Sequence, residues 1–137
     1  MYQRDYILRM IEEFFKFLRQ ILKLTSDKQY DEALALIDQT AQRFLKVELD
    51  DIVNHEDVRI DILENHVLSN DQLTILADLL KAKADIYRET NHIFSAISHY
   101  QLSLDLYEQV QKESTNFSLD IANKMDDLKL LILNISV

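Results

Sequence analysis

The chain of 137 residues contains no glycine and no proline, and this double absence narrows its possible folds more than any other feature. Strands joined by tight hairpins call for glycine or proline at fixed turn positions, whereas helices joined by short Asn, Asp and Ser loops need neither. An all-α fold follows. The same absence removes glycine-built phosphate loops, dinucleotide fingerprints and glycine-built oxyanion loops. Cysteine is missing too, so there is no disulfide framework, thiolate nucleophile or thiolate metal site. Apolar residues make up 47% of the chain, enough for a packed core, and this length suits one domain spanning residues 1–137.

Hydrophobic spacing divides the chain into about six helices. Ile7, Leu8, Ile11, Phe14, Phe15, Leu18, Ile21 and Leu22 recur at three and four, which predicts a first helix over about residues 3–24. Thr25-Ser26-Asp27 breaks it, and a second helix begins near Gln29 and runs towards Val47 or Leu49, with Ala33, Ile37, Ala41 and Phe44 inward. A shorter third helix is expected over about 57–67. Ser69-Asn70-Asp71-Gln72 reads as a capping box, in which Ser69 accepts the N–H three residues on and Gln72 returns the bond. It opens a fourth helix reaching about Glu89. Asn91 is a cap or turn residue before the fifth, which ends near Glu113. Ser114-Thr115-Asn116 precedes the last, carrying Leu119, Ala122, Met125, Leu128, Leu131 and Ile132.

Two of the hairpins look alike. In the first, Phe17, Ile21 and Leu24 precede Tyr30, Ala33, Ile37 and Thr40; in the second, Leu80, Ala84 and Tyr87 precede Ile93, Ala96, Tyr100 and Ser103. The aromatic, small and bulky positions resemble those of a tetratricopeptide repeat. Some residues depart from that pattern. Ile21 stands where the repeat has glycine or alanine, Gln20 where it has leucine, and the closing proline never appears. The 63 residues between Ala33 and Ala96 are not a multiple of the roughly 34-residue period. The chain thus resembles a diverged tetratricopeptide-like protein, and its RDYILRMIEEF helix and YDEAL hairpin resemble an uncharacterised Gram-positive bacterial family. The resemblance implies antiparallel helices in serial hairpins forming a right-handed array, and it implies no activity.

The formal charge of -9 is unevenly placed. Between Lys46 and Lys81 stand nine acids against the single base Arg59, while the remainder is nearly balanced. Phosphate-backbone binding needs clustered Lys and Arg, so nucleic acid is not an expected partner. Within the acidic tract Asp57, Asp61 and Glu64 share a helix face. With His55 nearby they could be read as a divalent-ion site, but no HExxH or EF-hand spacing accompanies them. A solvated face, or an acidic docking face, explains the same pattern. The four histidines, His55, His66, His92 and His99, are read as surface, capping or satisfied residues, and no cofactor is expected.

In a helical-hairpin array Lys83, Tyr87, Asn91, Tyr100 and Ser103 could line a peptide groove, each tyrosine offering apolar area and a hydroxyl. The competing reading puts the rings of Tyr87, Tyr100 and Tyr107 in the core with their hydroxyls at its rim. Both ends of the chain are strongly apolar, with Tyr2, Tyr6, Ile7, Met10, Phe14, Phe15 and Phe17 at one and LKLLILNISV at the other. A helix apolar over more than one stripe needs cover on both sides, which gives a homodimer through the terminal helices a physical motive. The first helix nets only +2, so a membrane-surface role is not expected. MYQRDYILRM lacks the apolar block of a signal peptide, and no run approaches the roughly 20 apolar residues of a spanning helix. A cytoplasmic location is therefore expected. The sequence reads as a protein-interaction or adaptor module without catalytic activity. The alternatives are a structural or regulatory homo-oligomeric subunit and a divalent-metal-dependent enzyme.

Overall fold

The computed structural model describes residues 2–136; the side chains of Tyr2 and Gln3, and the residues Met1 and Val137, lie outside that description. The described residues form seven helices: α1 (Tyr2–Ser26), α2 (Tyr30–Leu45), α3 (Leu49–Asn54), α4 (Glu56–Glu64), α5 (Asn70–Glu89), α6 (Ile93–Glu113) and α7 (Leu119–Ile135). The long neighbours α1–α2, α5–α6 and α6–α7 pack as antiparallel, hairpin-like pairs.

The seventh helix is α3, over residues that the sequence reading leaves in the acidic tract after the second helix. Lys46 stops α2 by taking a left-handed conformation (φ 55, ψ 41) while its N–H still donates to the carbonyl of Gln42 at 3.0 Å. Leu49 and Ile52 are then buried on a separate six-residue helix. His55, in extended backbone, ends α3 and starts α4. Arg59 donates to the carbonyls of Ile52 and Val53, so one side chain from α4 satisfies the orphan end of α3. Among the described residues, four occupy left-handed φ, namely Lys28, Lys46, His66 and Asn91. Turns that usually take glycine are here made by lysine, histidine and asparagine, at a cost of about 1 kcal/mol each.

The capping box at α5 forms as the sequence predicts. Ser69 accepts from the N–H of Gln72 at 3.2 Å, and Gln72 accepts from the N–H of Ser69 at 3.0 Å. Asn91 makes the turn, and His92 is the N-cap residue of α6. Gln111 clamps the next loop, donating to the carbonyl of Ser118 at 2.9 Å and accepting its N–H at 3.0 Å. Ser118 in turn caps α7 by accepting from the N–H of Ile121.

Helix α5 is the centre of the molecule. It packs against α6, α2 and α1, while α7 covers α6 and α3 also reaches α6. Its buried residues, Leu73, Ile75, Leu76, Ala77, Leu79, Leu80, Ala82, Ala84 and Ile86, spread around most of its circumference, as a helix enclosed on several sides requires. Ala77 and Ala84 let α6 approach closely, and Ser103 uses that closeness to donate to the carbonyl of Ala77 at 2.8 Å. The α1–α2 hairpin is held by Phe44 edge-on to Phe14 and Phe17, with ring centres 6.0 and 5.7 Å apart.

Candidate functional site

A cleft of about 240 Å³ opens between α1, α5 and α7. Its α1 wall is Phe15, Leu18 and Leu22, its floor is Asp78, Lys81, Ala82 and Asp85 of α5, and its far wall is Lys124, Asp127 and Leu128 of α7. The floor charges are placed by helical spacing. Asp78 and Asp85 lie two turns apart on α5, as do Tyr100 and Tyr107 on α6, and the helices run antiparallel. The hydroxyl of Tyr107 therefore donates to Asp78, and that of Tyr100 to Asp85. Each carboxylate also takes a lysine, Asp78 from Lys124 at 3.2 Å and Asp85 from Lys81 at 3.0 Å. Burial, reinforced by the adjacent carboxylates, raises both phenol pKa values above the ordinary tyrosine range, so each phenol keeps its proton and remains a donor. The result is a double latch that fixes the register of α5 against α6. It also leaves the cleft floor polar but internally matched.

The five residues read from the sequence as a peptide groove do not line one surface. Lys83, only 3% exposed, is turned away into the packing between α5, α2 and α3, where its ammonium meets Asp38 at 3.2 Å and Asp50 at 3.1 Å. Burial opposes that charge and is the largest single influence. The two carboxylates outweigh it and hold the pKa above the ordinary lysine value. Tyr100 and Ser103 are core residues, Asn91 is an exposed turn residue, and Tyr87 is half-buried beside His92 and His99. The core reading of Tyr100 and Tyr107, with hydroxyls at the rim, describes what the packing does with them.

Asp57, Asp61 and Glu64 all sit exposed on α4, and Asp61 accepts a bond from Asn65 at 2.7 Å. Among the described residues no group of three His, Cys, Asp or Glu could hold a metal ion. His55, His66 and His92 are exposed, in keeping with the sequence reading. His99 departs from it. Only 4% exposed, it shares its Nδ1 proton with the carbonyl of Ser95 at 2.7 Å, and its Nε2 has no hydrogen-bond partner. Burial, the largest influence, lowers its pKa. No sequence signal marks this histidine, because its position on α6 carries neither a motif nor an acidic neighbour.

The apolar excess at the two ends is partly left uncovered. On α1, Phe14 and Ile21 face the core, while Leu8 is 50% exposed, Phe15 42% and Leu22 50%. On α7, Ile121 and Leu128 are buried, and Leu130 and Leu133 are exposed. Among the described residues no helix is long and apolar enough to cross a membrane. Compared with known proteins, the chain matches no family model, no curated protein and no solved structure.

Proposed function

We propose that this chain is a protein-interaction module, built as a diverged tetratricopeptide-like right-handed array, that receives an amphipathic helix along the face between α1 and α7. The observation that carries this reading is the half-exposed row Leu8, Phe15 and Leu22 beside a cleft whose charged floor is already paired. Apolar side chains at helical spacing next to a groove are the usual anchors of a helix-in-groove interface. The paired floor favours docking over chemistry, because its carboxylates and phenols already serve the α5–α6 register. The order of helix packing, α1 on α2, both on α5, then α6 and α7, accords with serial hairpins whose first members line a concave face.

The test is photocross-linking of the full chain in the cells that make it. A photoreactive residue replacing Leu22 should give a discrete protein adduct, whereas the same residue replacing Gln39, exposed on α2, should give none. Absence of any adduct from Leu22, or equal adducts from both positions, would sink the reading.

A further inference from the structure

We infer that the occupant of the exposed α1 face is a second copy of this chain, its α1 lying antiparallel across a two-fold axis at Phe15. The inference rests on the interaction-module reading and names its partner. The carrying observation is that the row is palindromic. Leu8 and Leu22 are the same residue type, equally exposed, and stand at equal distances on either side of Phe15. Two exposed charges, Glu12 and Arg19, run along one flank of the row. Neither has an ion-pair partner among the described residues, although Glu13 next in sequence does.

Helix geometry turns this pattern into a register. At a rise of about 1.5 Å per residue, an antiparallel copy centred on Phe15 sets Leu8 against the partner's Leu22 and Phe15 against the partner's Phe15. A two-fold perpendicular to the plane of the two helices keeps corresponding flanks on the same side. Glu12 then stands within about 1.5 Å in height of the partner's Arg19, and the symmetric pair repeats beyond the axis. A parallel two-fold pairing would carry the partner's flank to the other side of the seam, where Glu12 meets no Arg19, so charge favours the antiparallel arrangement. The row ends in polar residues, Arg4 at one end and Ser26 at the other, and these two also meet across the axis. Phe15 and Leu22 belong to the cleft wall as well, so the second copy covers the apolar lip of the cleft while leaving the α5 latch intact.

The chain has no cysteine, which permits a direct test in the full-length protein. A Phe15→Cys variant oxidised with diamide should form a disulfide-linked dimer, because the axis brings that position onto its own copy. A Gln20→Cys variant, exposed on the opposite side of α1, should stay monomeric under the same treatment. In sedimentation equilibrium the wild type should associate reversibly. Glu12→Arg should weaken association about tenfold, and adding Arg19→Glu to it should restore the wild-type value. Both flank positions are exposed, so circular dichroism should be unchanged in either variant. A wild type that stays monomeric at every concentration, or a double charge swap that fails to rescue, overturns the pairing. If the monomer nevertheless gives adducts with another protein through Leu22, the interaction-module reading survives and the self-pairing alone is lost.

Discussion

Lys83 shows how a buried charge is tolerated when its partners reach water. Its ammonium is buried, but Asp38 and Asp50 are each more than half exposed, so only one of the three ions bears the full desolvation cost. Removing the lysine lets both carboxylates hydrate, whereas removing the carboxylates strands a cation in the core. Lys83→Met should therefore unfold within about 1 kcal/mol of the wild type, on either side. The pair Asp38→Asn and Asp50→Asn should cost about 3 kcal/mol. Urea denaturation of the two variants distinguishes them, and equal losses would mean that the ion group itself is stabilising.

His99 makes a matching case for pH. Its Nδ1 proton is shared with Ser95, so protonation must place a new N–H at Nε2, where no acceptor stands. Burial holds its folded-state pKa below the ordinary value of about 6.5. The unfolded chain consequently binds this proton more readily. Stability is fully present above about pH 6.5 and is lost as pH falls from there through the lowered folded pKa. The loss is at most about 1.4 kcal/mol per pH unit for one group. A His99→Leu variant should show a flatter stability profile over that window in thermal melts. An unchanged slope would assign the acid sensitivity to other groups.

At the scale of elements, the chain pays a conformational cost at its turns, and that cost is recoverable. Lys46 holds φ 55 to end α2, a conformation that burdens any residue with a Cβ. Lys46→Gly should raise stability by about 0.5–1 kcal/mol. Asn91→Gly should gain less, because asparagine already tolerates the left-handed region. The order of the two denaturation midpoints tests the argument. The opposite case is the start of α5, where Ser69→Ala removes one arm of a complete capping box and should cost about 1 kcal/mol. The capping box was legible from four residues because its bonds are local. The stop of α2 at Leu45 and the separate helix α3 after it were not, since Lys46 has no turn propensity of its own. What ends α2 there is the burial of Leu49 and Ile52 on a new axis.

For the whole molecule, the central fact is that α5 touches helices from both halves of the chain. Coupling through one shared helix favours a single unfolding transition over the gradual loss of units expected of a long repeat array. Deleting α7 tests this dependence. It uncovers α6, removes the burial of Ile121 and Leu128, and takes Lys124 from Asp78. At about 1.5–3 kcal/mol per fully buried aliphatic side chain, the shortened chain should lose more than about 3 kcal/mol. A shortened form that melts with the wild type would show that α7 is an accessory to the fold.

The helical class, the main hairpin order, the α5 cap and most of the inward faces were readable from residue types and spacing, because helix periodicity and capping act over a few residues. The tertiary structure decided which charges and aromatics meet. Asp78 and Tyr107, or Lys83 and Asp50, are far apart in sequence, and nothing local aims one at the other. The packing of α6, α2 and α3 around α5 is what buried Lys83, Tyr100 and Ser103, dispersed the expected groove, and opened the cleft beside α1 instead. The apolar excess of α1 was visible in sequence. Which edge of it remained uncovered depended on where α2 and α5 ran out of surface to bury it.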